Sequence, residues 1–115
     1  MTIETLVKNL ELDILTGESL LKKQVNGCYI GDLLSWVMSK AQENNVWITV
    51  MGNVNAIAVA VLTDVPCIIL AESSALDSEA KERAAQNNIV VLRSNKNSYE
   101  LAVCINKLYC DEKNL

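Results

Sequence analysis

The strongest constraint in this chain is a rhythm of short apolar runs set between segments of helix length. Val46 to Met51 is the first run, Pro66 to Leu70 the second and Ile89 to Leu92 the third. None alternates strictly between apolar and polar residues, as a strand wet on one face would. Runs of this kind fit strands covered on both faces, which is the habit of parallel sheets. Between the first two lies Ala56-Ile57-Ala58-Val59-Ala60-Val61-Leu62, apolar all round. That pattern predicts a buried helix, capped by Asn53 or Asn55, whose alanines allow close approach to a sheet. Asp77 caps a further helix over 78–86, with Ala80 and Ala84 inward and Glu79 and Arg83 paired outside. Asn97-Ser98-Tyr99-Glu100 reads as a capping box with Asn in first place. It opens a last helix, to about Tyr109, that buries Leu101, Cys104, Ile105 and Leu108. The order from Val46 onward is β-α-β-α-β-α, which implies parallel strands joined by right-handed crossovers.

The first 45 residues add smaller pieces. A helix over 2–10 is capped by Thr2 and carries Ile3, Leu6, Val7 and Leu10 at helical spacing. Glu11 to Leu15 and Val25 to Ile30 are strand candidates, separated by a polar connector over 18–24. Gly31-Asp32 opens a helix with Asp32 as N-cap, and Leu33, Leu34, Val37, Met38 and Ala41 cover one continuous face of it. The expected fold is α/β: three layers, α/β/α, around a mostly parallel central sheet. One domain is expected over 1–110, with a frayed tail over 111–115.

Composition then narrows the chemistry. The 115 residues include no His and no Phe; half are hydrophobic and only 4% aromatic. The core must be aliphatic. Without His there is no Ser-His-Asp or Cys-His nucleophile pair and no His-ligated metal within the chain. Ten basic residues against fourteen acidic ones give a net charge of −4, with no basic excess to draw a phosphate backbone. Nucleic acid is therefore not an expected partner. No apolar run approaches the roughly 20 residues that cross a bilayer, and Met1-Thr2-Ile3-Glu4 has neither basic nor apolar signal regions. A cytoplasmic protein without membrane contact is the expectation. Cys28, Cys67 and Cys104 sit in apolar sequence and read as small buried hydrophobes, while Cys110 reads as an exposed thiol. No catalytic residue, cofactor or metal site is expected.

Ligands of open parallel sheets bind outside the carboxyl ends of the strands. Three small polar loops fall there: Met51-Gly52-Asn53-Val54-Asn55, Ala71-Glu72-Ser73-Ser74 and Arg93-Ser94-Asn95-Lys96-Asn97. Each leads into a helix N-terminus, where free N–H groups suit an anion. Gly52, Asn53, Asn55, Ser73, Ser74, Ser94 and Asn95 are the candidate ligand-binding residues. The same residue types are also ordinary caps and turn formers. There is no G-x-G-x-x-G and no P-loop. Asp32, Asp64, Glu72 and Asp77 have no spacing that demands a shared acid–base site. Trp36 falls off the apolar face of its helix. It either packs on a second subunit or is covered by the connector at 16–24, and Tyr29 fits either cluster.

Local strings then carry a resemblance. Gly27-Cys28-Tyr29-Ile30-Gly31-Asp32-Leu33-Leu34-Ser35, Val37-Met38, Val46-Trp47-Ile48-Thr49, Ile57 to Leu62 and Ile68-Ile69-Leu70 resemble the short stand-alone proteins of the DRTGG-domain family. The likeness spans roughly residues 2–108. It implies a fold similar to the N-terminal domain of HPr kinase/phosphorylase and a regulatory, dimerising role. The naming motif is absent as a string. Where relatives often have Gly-Asp-Arg this chain has Gly52-Asn53-Val54, and where they often have Thr-Gly-Gly it has Glu72-Ser73-Ser74.

The leading expectation is a non-enzymatic regulatory or ligand-sensing module that works as a homodimer and takes a small anionic or nucleotide ligand. Two alternatives stand beside it: a small enzyme or nucleotide-binding protein using the same crevice, and a pure protein–protein interaction domain.

Overall fold

The structure is a computed structural model that describes residues 1–113. The chain runs α1 (Ile3–Leu10), β1 (Asp13–Thr16), a 3₁₀ turn (Glu18–Leu20), β2 (Cys28–Ile30), α2 (Leu34–Lys40), β3 (Val46–Thr49), α3 (Val54–Thr63), β4 (Cys67–Leu70), α4 (Ser78–Gln86), β5 (Val90–Arg93) and α5 (Ser98–Lys113). Its five strands form one sheet in the order β1-β5-β4-β3-β2. β2 to β5 are parallel, and β1 closes the sheet antiparallel to β5. This is the three-layer, mostly parallel architecture that the apolar rhythm predicts.

The continuous apolar runs conceal a period of two. Val46, Ile48, Cys67, Ile69, Val90 and Leu92 point into one core with Ile3, Leu6 and Leu10 of α1 and Leu101 and Ile105 of α5. Trp47, Ile68, Leu70 and Val91 point into the other, under α2, α3 and α4. Each fully buried large side chain contributes about 1.5–3 kcal/mol relative to exposure. Ala56 and Ala60 of α3 and Ala80 and Ala84 of α4 are completely buried, so these helices lie close on the strands. Trp47 is buried as well, and its indole N–H donates to the Gly31 carbonyl at 2.9 Å.

The caps explain most helix starts. The Thr2 hydroxyl accepts from the Thr5 N–H at 3.3 Å. Asn53 Oδ1 accepts from Ala56 N–H at 3.0 Å, so Asn53 rather than Asn55 caps α3. At α5 the box is reciprocal: Glu100 N–H donates to Asn97 Oδ1 at 2.9 Å and Asn97 N–H to Glu100 Oε1 at 3.2 Å. Asp77 occupies the N-cap of α4 without a side-chain bond. The Glu79–Arg83 pair spans 3.7 Å at an exposed site, where such pairs add little.

Several expectations are corrected. Asp32 does not cap α2; Leu33 holds that place, and Asp32 Oδ1 instead accepts from Thr49 Oγ1 at 2.7 Å and Val50 N–H at 2.9 Å. Of the apolar face of α2 only Val37 is buried, because the helix sits at the sheet's margin and overhangs it. α3 is not buried all round either: Val61 and Leu62 face outward, since one sheet can cover only one side of a helix. β2 is three residues long and forms an edge, which leaves Cys28 exposed. Cys104 is half-buried and Cys67 fully buried. α5 continues to Lys113, so 111–113 belong to the helix; residues 114–115 lie outside the described residues.

The winding is one-sided for most of its course. α2, α3 and α4 all lie on one face, so the crossovers step steadily from β2 to β5 without reversing. After β5 the chain returns, as α5, to the face that α1 covers.

Candidate functional site

That change of side sets a fork. From neighbouring strands β4 and β5, the chain leaves the sheet in opposite directions, and a crevice forms where this happens. The β4–α4 loop is tied to the β5–α5 loop across the fork. Glu72 N–H donates to the Lys96 carbonyl at 2.9 Å and Ser73 N–H to the Ser94 carbonyl at 2.8 Å. Glu72 and Ser73 both stand at φ 55°, the left-handed region that costs a side chain some strain. Ser94 is buried, and its hydroxyl accepts from Lys96 N–H at 3.0 Å. The Ser74 hydroxyl turns back to the Ala71 carbonyl at 2.6 Å.

Below the fork is a cleft of about 230 Å³. Ser73, Ser94 and Asn95 line it, together with Arg93 at the end of β5, Lys96 of the following loop, Glu11 just after α1 and Asp13 at the start of β1. Asp13 sits directly across from Arg93 in the β1–β5 register. Among the described residues, neither Arg93 nor Lys96 takes part in an ion pair. The larger hollow of about 520 Å³ lies at the other end of the sheet, beside Asn44, Asp64 and Asn88, which end helices or turns in left-handed conformations. The sheet's topology favours the smaller one.

The structure therefore brings together three of the seven candidate residues, Ser73, Ser94 and Asn95. Gly52, Asn53 and Asn55 lie apart. Gly52 is pressed against the β4–α4 loop: a Cβ there would stand 1.9 Å from the Ala75 carbonyl oxygen, and the Gly52 carbonyl accepts from Asp77 N–H at 2.8 Å. Asn53 is occupied as a cap and Asn55 is exposed on the first turn of α3. The helix N-termini also hold fewer open donors than the sequence suggests, because α3 and α5 carry side-chain caps. What the residue reading passed over is the pair of cations. Their signal is in the loop string itself, where Arg93 and Lys96 flank Ser94-Asn95.

The remaining reactive groups are quiet. Burial pushes the Cys28 thiol up to about 11 although the residue is exposed at the sheet edge, and it raises Cys67 further. Burial also pushes the Tyr109 hydroxyl up to about 12, while that hydroxyl donates to the Gly27 carbonyl at 2.9 Å. Among the described residues no three His, Cys, Asp or Glu side chains gather as a metal site. No helix among them is long and apolar enough to cross a membrane.

The pattern of strands, fork and loops runs through almost the whole chain, and residues 5–108 match the DRTGG domain. The chain belongs to the DRTGG-domain family. No curated protein matches it. Among solved structures, this DRTGG domain is similar to the CBS and DRTGG domains of the regulatory region of Clostridium perfringens pyrophosphatase, complexed with the activator diadenosine tetraphosphate. The TM-score is 0.76 at 15% identity, over 90% of this chain and 45% of that one. A likeness at that identity concerns the fold, and this chain spans less than half of the other's length.

Proposed function

We propose that this DRTGG domain is a non-enzymatic regulatory module of the cytoplasm that senses a nucleotide in the fork cleft and works as a homodimer. The observation that carries the ligand part is the pair Arg93 and Lys96, two cleft-lining cations that form no ion pair among the described residues. A guanidinium and an ammonium suit phosphate oxygens. Glu11 and Asp13, which line the same cleft, refine the choice. Against them a bare phosphate gains little net attraction, whereas a nucleotide also brings donors, its ribose hydroxyls and base amine. The nucleotide complex of the pyrophosphatase regulatory region supports the same class. A fold like that of the N-terminal domain of HPr kinase/phosphorylase belongs to the same proposal and would fit a regulatory role.

The homodimer part rests on Trp36. The connector cannot cover it: Leu20 and Leu21 pack on the α1–α5 side of the sheet, whereas α2 lies on the other. Trp36 stays 61% exposed, and Tyr29 is half-buried nearby.

Thermal shift and calorimetry with adenosine diphosphate and diadenosine tetraphosphate test the ligand part. Stabilisation is expected to grow with ligand concentration and to fall at least tenfold in apparent affinity in Arg93→Ala/Lys96→Ala. Equal binding by that variant, or no binding by either protein, removes the cleft from the proposal.

A further inference from the structure

The sheet has two edges, and only one is guarded. β1 opens on the exposed Asp13 and shifts register between Ile14 and Thr16. Charges and bulges of this kind are how edge strands avoid pairing with another chain. β2 has neither. Cys28-Tyr29-Ile30 carries no charge and no proline, and it pairs with β3 alone in regular register.

The direction of its peptide groups can be read from the neighbours. The Gly27 carbonyl accepts from Val46 N–H at 3.3 Å and Gly31 N–H donates to the Ile48 carbonyl at 3.2 Å. Residues 27, 29 and 31 thus turn their bonding groups to β3, which turns those of Cys28 and Ile30 outward. Apolar surface flanks this edge on both faces. On the α2 side, Tyr29, Leu33 and Trp36 frame a groove of about 270 Å³. Asp32, the one charge there, is held by Thr49 and Val50. On the α5 side, Cys28, Ile30, Ile105 and Tyr109 frame a groove of about 330 Å³.

We propose that β2 pairs antiparallel with β2 of a second copy about a twofold axis at Tyr29, joining two five-stranded sheets into one. This rests on the homodimer reading and gives it a geometry. The register is self-complementary. Cys28 and Ile30 exchange both backbone bonds with the partner's Ile30 and Cys28, which uses every outward group of the strand. An axis at Cys28 would need Asn26, whose N–H already donates to the Asn44 carbonyl at 2.8 Å. At the Tyr29 axis the two tyrosines meet, and Leu33 and Trp36 of both copies close around them. A standard interface buries roughly 800 Å² per partner. Ile30, Leu33 and Trp36, 45%, 62% and 61% exposed, supply on the order of 300 Å² of it. The strand backbone, Tyr29 and the α5 groove add to that.

The test uses the full chain with Cys104→Ser and Cys110→Ser, so that Cys28 is its accessible thiol. Adding Ile30→Cys sets a new thiol opposite the partner's Cys28, about 5.5 Å away between Cα atoms, within disulfide reach. With a copper–phenanthroline oxidant, a covalent dimer is expected, and it is lost when Cys28→Ser is added. Hydrogen exchange on the unaltered protein supplies a reading free of folding defects. The Cys28 and Ile30 amides are expected to slow at least tenfold between low and high micromolar concentration. Sedimentation separates the two ideas. A monomer at high micromolar concentration leaves the edge to some other strand and overturns both the homodimer and this geometry. A dimer whose Cys28 and Ile30 amides stay unprotected overturns the edge pairing alone.

Discussion

The two faces of the sheet are covered in different ways. On one, α1 and α5 press large aliphatic side chains onto the strands, with Ile3, Leu6, Leu101 and Ile105 at or near zero exposure. On the other, α3 and α4 approach through alanines, and α2 is held by the buried Val37 with the half-buried Leu34 and Ala41. The second face leaves Leu33, Trp36, Met38, Val61 and Leu62 in solvent. The first face stores stability in burial. The second depends on close approach and leaves more apolar side chains exposed than the first, where Tyr99 and Val103 of α5 are the outward ones.

Three substitutions break or sharpen this contrast. The largest effect is expected on the close-approach side. Gly52→Ala drives a methyl into the Ala75 carbonyl, a backbone atom that cannot swing away. A loss of about 3 kcal/mol or more is expected in urea unfolding, and a loss below about 1 kcal/mol would mean the two loops are loosely joined. Next comes Leu6→Ala on the aliphatic side, a fully buried side chain. It should cost about 2–5 kcal/mol by the same measurement, according to how far the site collapses. The smallest is Trp36→Ala. In dilute solution it should change stability by no more than about 0.5 kcal/mol, as exposed sites do, while shifting sedimentation at high concentration toward monomer. A large loss in dilute solution would mean that Trp36 is packed within one chain.

The sequence carried the architecture because its signals there were redundant. Unbroken apolar strands, the alanine spacing of α4 and the Asn97–Glu100 box each point the same way, and all three appear as expected. It misled where a local signal had a competitor at long range. Asp32 has the look of an N-cap, yet Thr49 and Val50, distant in sequence, take its carboxylate. The helix periodicity of α2 was real, but periodicity cannot say whether a sheet lies underneath. For the cleft, the strand-end loops were legible and their partners were not. That Ser73 meets Ser94 and Glu72 meets Lys96 depends on which two strands are neighbours with departing chains on opposite faces. Caps and cleft-lining residues also share residue types, so identity alone does not separate Asn53, a cap, from Ser94, which lines the cleft.

The sixteen-residue α5 ties two of these places together. It starts from the loop of Ser94, Asn95 and Lys96 at the cleft, and its later turns, through Tyr109, wall the groove beside β2. At about 1.5 Å per residue, its groove residues Ala102 to Tyr109 lie about 6 to 17 Å along the helix axis from Ser98. If the cleft takes a nucleotide and the edge pairs as proposed, such a strut would link the two events. By linkage, whatever factor a nucleotide imposes on self-association, self-association returns on the nucleotide. Titrating ligand at two protein concentrations would read that factor from either end.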